Sequence, residues 1–113
     1  MIGPGAGVRV YLACGVTDMR KGIGGLAALA QHLLRQNPAS GALFAFRGRR
    51  GDRLKLLMWD GQGFCLYYKV LERGRFPWPS PAEGVARLTA AQLAMLWIDW
   101  RRPTWTAPPS RVA

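Results

Sequence analysis

The chain has 113 residues, enough for one domain with one core. It carries 16 Lys and Arg against 6 Asp and Glu, a net charge of +10, which points to nucleic acid or another polyanion as partner. Two cysteines and one histidine exclude a disulfide scaffold and the usual Cys/His zinc site, and no apolar run nears the ~20 residues that span a bilayer.

Residues 1–5 lack the basic and apolar regions of a signal peptide, so the expected compartment is the cytoplasm. Val8 to Leu12 alternates and predicts a strand, ended by Gly15. Thr17-Asp18 then supplies an N-cap, predicting a helix from near Met19 to about Gln36, where Asn37-Pro38 stops it. Its apolar stripe is Ile23, Leu26, Ala30, Leu33 and Leu34. Gly22-Ile23-Gly24-Gly25 has neither GK[ST] nor GxGxxG spacing, so it does not read as a nucleotide loop. His32 has no partner set for catalysis and reads as a surface histidine; Cys14 and Cys65 read as buried thiols.

Leu43 to Trp78 is the centre of the chain. Apolar runs are separated by Arg47-Gly48-Arg49-Arg50-Gly51-Asp52 and by Asp60-Gly61-Gln62-Gly63, the pattern of a three-stranded antiparallel meander. A short fourth strand is expected near Arg75 to Trp78. A hairpin loop of odd length after Trp59 would gather Leu54, Leu56, Met58, Phe64, Leu66, Tyr68 and Val70 on one face. Arg53, Lys55, Trp59, Tyr67 and Lys69 would then share the opposite, basic face. Lys69, Arg73 and Arg75 extend the positive stripe. The Arg47 to Arg53 loop reads as a finger on a phosphate backbone, with Trp59 or Tyr67 available for base stacking.

Pro77 to Pro81 leaves regular structure, and Leu88 to Trp97 predicts a second helix capped by Thr89. Residues 104–113 are expected to form a flexible tail beyond a single domain of residues 1–103. The expected fold is α+β, an antiparallel sheet of about four strands packed with two helices. Neither an acidic metal triad nor a nucleophile with its base can be assembled, so no catalytic residue and no cofactor are assigned.

Residues 8–22 (VRVYLACGVTDMRKG), 43–79 (LFAFRGRRGDRLKLLMWDGQGFCLYYKVLERGRFPWP), 88–96 (LTAAQLAML) and 99–103 (DWRRP) together resemble a known family. It is the TnpB-type accessory proteins, the second open reading frame of the sixty-six group of bacterial insertion sequences. The resemblance covers nearly residues 1–103. It implies a non-catalytic protein that assists transposition, while a separate transposase carries out strand transfer. Two readings follow. The first is DNA binding, to transposon ends or to duplex without sequence preference, through Arg47, Arg49, Arg50, Arg53, Lys55, Lys69, Arg73 and Arg75. The second is a protein-interaction module that meets the cognate transposase or other element-encoded proteins through Trp97, Trp100 and Trp105.

Overall fold

The run Leu43-Phe44-Ala45-Phe46 has no polar residue to turn toward water, so it suits a strand covered on both faces. The computed structural model of the chain, which describes residues 8–33, 35–76, 84–97 and 110–111, places it at such a position. Strands β1 (Val10–Val16), β2 (Leu43–Arg47), β3 (Arg53–Trp59), β4 (Phe64–Val70), β5 (Val85–Leu88) and β6 (Ser110–Arg111) form one sheet. Their order is β4-β3-β2-β1-β5-β6. Helices α1 (Ile23–His32) and α2 (Ala90–Trp97) complete an α+β fold.

The meander β2-β3-β4 is antiparallel, as its turns predict. The sheet as a whole is mixed, because β1 pairs parallel with β2. A parallel pair needs a crossover, and α1 supplies it. Of the short strand expected at Arg75 to Trp78, Arg75 and Phe76 lie in no strand, and Pro77 and Trp78 lie outside the described residues. A strand that was not expected, β5, covers four residues just before the α2 signal and pairs antiparallel with β1. Ser110–Arg111, within the stretch expected to be a tail, pairs with β5.

Both faces of the sheet are covered. On the α2 side, Val10, Leu12, Leu43, Ala45, Leu54 and Leu56 pack with Leu71, Phe76 and Leu93. On the α1 side, Tyr11, Ala13, Phe44, Phe46 and Leu57 pack with Leu26 and Ala30. Tyr11 and Phe44 stack there, with ring centroids 5.8 Å apart.

This double cover overturns the odd-loop expectation. Trp59 pairs with Phe64, so the loop has four residues, Asp60 to Gly63. Local chemistry sets that length. The Asp60 N–H donates to the Gly63 carbonyl, and its carboxylate accepts from the Gln62 and Gly63 N–H groups. Gly61 supplies the positive φ of 98° that the turn requires. Burial raises no objection, because either face finds an apolar layer. Arg53, Lys55, Trp59, Tyr68 and Val70 therefore point to the α1 side, and Tyr67 and Lys69 to the α2 side.

Helix α1 is shorter than its pattern predicts. Asp18 does not cap it but closes a turn, accepting from the Arg20 N–H at 2.9 Å. The helix starts at Ile23 with Gly22 as N-cap and no side-chain cap. It ends before Arg35, whose φ of 53° breaks the spiral, and the Gln36 N–H donates back to the Ala30 carbonyl. His32 is exposed at the helix end and Cys14 is buried, as expected, whereas Cys65 is only half-buried.

Helix α2 is capped as predicted. The Gln92 N–H donates to Thr89 Oγ1 at 3.1 Å, and the Thr89 N–H donates to Gln92 Oε1 at 2.8 Å, a capping box. Thr89→Ala should cost about 1 kcal/mol in a denaturant titration. A change below roughly 0.3 kcal/mol would show that Leu93 packing alone holds the helix start.

Candidate nucleic-acid interface

The basic residues converge on one end of the sheet rather than on one face. Val16 of β1 lies beside Arg47 of β2, Arg47 opposes Leu54, and Arg53 opposes Val70. The carboxyl ends of β1, β2 and β4 and the start of β3 thus share one edge of the molecule. Arg47, Arg49, Arg50, Arg53, Lys69, Arg73 and Arg75 all belong to this end. Lys55 lies two residues further in.

The β2–β3 connection is built as a rigid turn. The Gly51 N–H donates to the Gly48 carbonyl at 3.1 Å, closing a four-residue β-turn with Arg49 and Arg50 at its corners. Both arginines are exposed. Gly48 is closely packed, since a Cβ there would stand 2.9 Å from Met19 Cγ and the Met19 side chain would have to shift. Gly51 has φ 77°, and a Cβ there would meet Arg75 Nε at 2.6 Å. Arg75 therefore lies over the turn. The chain beyond β4 braces it as well, with the Leu71 N–H donating to the Asp52 carbonyl and the Phe76 N–H to the Gly51 carbonyl.

The loop from Thr17 to Gly22 faces this turn across an open groove of about 650 Å³. The groove is lined by Arg20, Arg49, Arg50 and Arg53, with Asp18 and Asp52 among them. It sits outside the carboxyl ends of the parallel pair, the usual ligand position in open α/β sheets. Arg20 holds Asp18 in a two-pronged contact, with Nη2 at 2.8 Å from Oδ2 and Nε at 3.0 Å from Oδ1. These bonds, with the Arg20 backbone N–H, hold the Asp18 carboxyl well below the usual carboxylate range.

Not every predicted contact residue is accessible. Lys55 is 7% exposed, and its Nζ donates to the carbonyls of Met19 at 2.7 Å and Lys21 at 2.9 Å. The Tyr68 ring lies 4.7 Å from the same nitrogen. Lys55 is a strut that holds the Thr17 to Gly22 loop against the sheet. It also explains the late start of α1, since a helix from Met19 would need those two carbonyls for Ile23 and Gly25. Arg47 is 6% exposed. Burial, and then the neighbouring charge of Arg75, lowers its pKa.

The aromatic candidates are displaced from the arginines. Trp59 packs edge-on against Phe64 at 5.0 Å, at the opposite end of β3, and Tyr67 is on the α2 side. The aromatic beside the basic end is Tyr68, 45% exposed, whose hydroxyl accepts from Arg53 Nη1 at 3.0 Å. Arg20 is the other residue that pattern reading missed. Its signal was the RK pair of VTDMRKG, hidden by placing that segment in a helix. Trp100 and Trp105 lie outside the described residues, and Trp97 is the last residue of α2.

Among the described residues no group of His, Cys, Asp and Glu could hold a metal ion, and no helix is long and apolar enough to cross a membrane. A family model described as IS66 Orf2 like protein matches residues 8–104. The protein y4hO of Sinorhizobium fredii (strain NBRC 101917 / NGR234) is 49% identical over 114 residues, covering 99% of each chain. The protein y4jC of the same strain is 38% identical over 104 residues, covering 90% of this chain and 89% of its own. No solved structure matches the chain.

Proposed function

Because the chain belongs to the IS66 Orf2-like family, which points to an accessory role in transposition, we propose that it holds DNA by the arginine-bearing end of its sheet. The observation that carries this reading is the turn at Arg49-Arg50. Two guanidinium groups stand at the corners of a braced β-turn, with Arg20 and Arg53 flanking the same groove. The braced backbone fixes where the two side chains start, and each planar guanidinium can meet phosphate in a bidentate way. Lys69, Arg73 and Arg75 widen the contact along the same end. The contacts are to the backbone, so binding is salt-dependent and weak in sequence preference. The protein is non-catalytic in this reading, and the element's separate transposase is its partner in the complex.

Fluorescence-anisotropy titration of a duplex at several salt concentrations tests the proposal. Wild type is compared with a variant in which Arg20, Arg49, Arg50 and Arg53 are all alanine. The variant should lose roughly 100-fold in affinity at low salt, and the slope of log K against log salt should flatten by about 3. Wild-type binding that ignores salt, or a variant with unchanged slope, would sink the reading and favour contact with the transposase alone.

A further inference from the structure

The sheet ends on one side at β4, whose outer edge has no partner strand among the described residues. Proteins protect such an edge with short strands, proline, bulges, inward charges or a covering segment. Strand β4 is seven residues long, reads FCLYYKV, and runs against β3 without a register shift. It contains neither Pro nor Gly and has one charged residue, Lys69, in a chain of net charge +10. Tyr68 and Val70 are 45% and 48% exposed. The opposite edge, by contrast, is the two-residue β6.

We infer that β4 is an association edge and that its occupant is the β4 of a second copy, paired antiparallel about a two-fold axis at Tyr67. This register alone pairs all seven residues. It sets Phe64 against Val70, Leu66 against Tyr68, and Cys65 against Lys69, so the two lysines do not face each other. It also brings the turn carrying exposed Asp60 beside the partner's turn carrying exposed Arg73, twice by symmetry. A register centred on Leu66 would instead carry Glu72 toward Asp60, a like-charge contact. The seam is small compared with a standard interface of about 1,600 Å², so association in the micromolar range is expected. The pairing extends the sheet and keeps both copies in one plane. Strand rise and spacing then put the two Arg49-Arg50 turns roughly 35–40 Å apart. An antiparallel seam sets them at opposite ends of the dimer, aimed away from each other, so each turn would meet its own stretch of duplex. This last consequence rests on the DNA reading; the dimer does not.

Sedimentation velocity of the full chain is run over a wide concentration range in about 0.5 M salt, which screens the mutual repulsion of two basic copies. Mass should rise from 12.5 kDa toward twice that value. Val70→Lys, at an exposed position, should weaken the dimer about tenfold, since each dimer loses the same cross-strand pair twice. Lys69→Cys should give a disulfide-linked dimer with Cys65 of the other copy under mild oxidation. Within one strand, Cys65 and the thiol introduced four residues later stand ~13 Å apart and cannot bridge internally. A monomer at every concentration with no cross-link would overturn the proposal. So would a dimer that ignores Val70→Lys and fails to cross-link, because it would use another surface. If Lys69→Cys cross-links but the wild-type chain does not bind duplex DNA, the seam is retained and only the DNA reading is removed.

Discussion

Lys55→Met should destabilise the fold by about 2–4 kcal/mol, although a surface lysine on a strand would cost almost nothing. Hydrogen bonds from a charged donor are worth about 1.5–3 kcal/mol each, and Lys55 Nζ makes two, to the Met19 and Lys21 carbonyls. Methionine keeps most of the apolar stem, so the loss reports the ammonium rather than packing. At about 4 °C per kcal/mol for a domain of this size, thermal unfolding followed by circular dichroism should shift down by roughly 10 °C. The same change should free the loop that carries Asp18 and Arg20. Hydrogen exchange at residues 17–22 should therefore rise well before global unfolding. A shift under about 2 °C would mean that water satisfies both carbonyls and that Lys55 is no strut.

Leu56→Ala and Leu57→Ala should each cost about 2–5 kcal/mol. These neighbours point to opposite sides of β3. Leu56 is 4% exposed against the layer with Leu93, and Leu57 is fully buried against the layer with Leu26. A sheet with one solvated face would make one of the two substitutions nearly neutral. Urea titrations of the pair discriminate between the two arrangements. Equal large losses support the two-layer cover, and a loss confined to one variant would contradict it.

The parts that were legible in the sequence are those governed by short-range chemistry. Alternation and Gly/Asp junctions marked β2, β3 and β4. Thr89, ahead of an apolar run, marked the cap of α2; its exchange with Gln92 came only from the structure. The cluster from Arg47 to Arg53 marked the exposed basic turn, and Arg49 and Arg50 do stand in solvent. Three errors have one source. The odd hairpin loop, the basic sheet face and the free Lys55 all assumed that one face of the meander meets water. In β3 the residues Leu54, Leu56 and Met58 alternate with Lys55, Leu57 and Trp59, so two-sided cover looks much like a noisy one-sided pattern. Strand β5 was missed because four residues running into a helix signal carry too little periodicity to stand out.

The sequence alone therefore determined the existence and type of most elements, the basic turn, the family resemblance and the charge that points to a polyanion. Only the tertiary structure decided which end of the sheet the arginines share, that β1 lies parallel to β2, and which cations reach solvent. The physical reason is range. A turn or a cap is settled by residues within four positions of each other. Lys55, by contrast, is turned inward by carbonyls 36 and 34 positions earlier in the chain. Arg20 shares a groove with Arg49 only because the crossover through α1 brings the ends of β1 and β2 side by side.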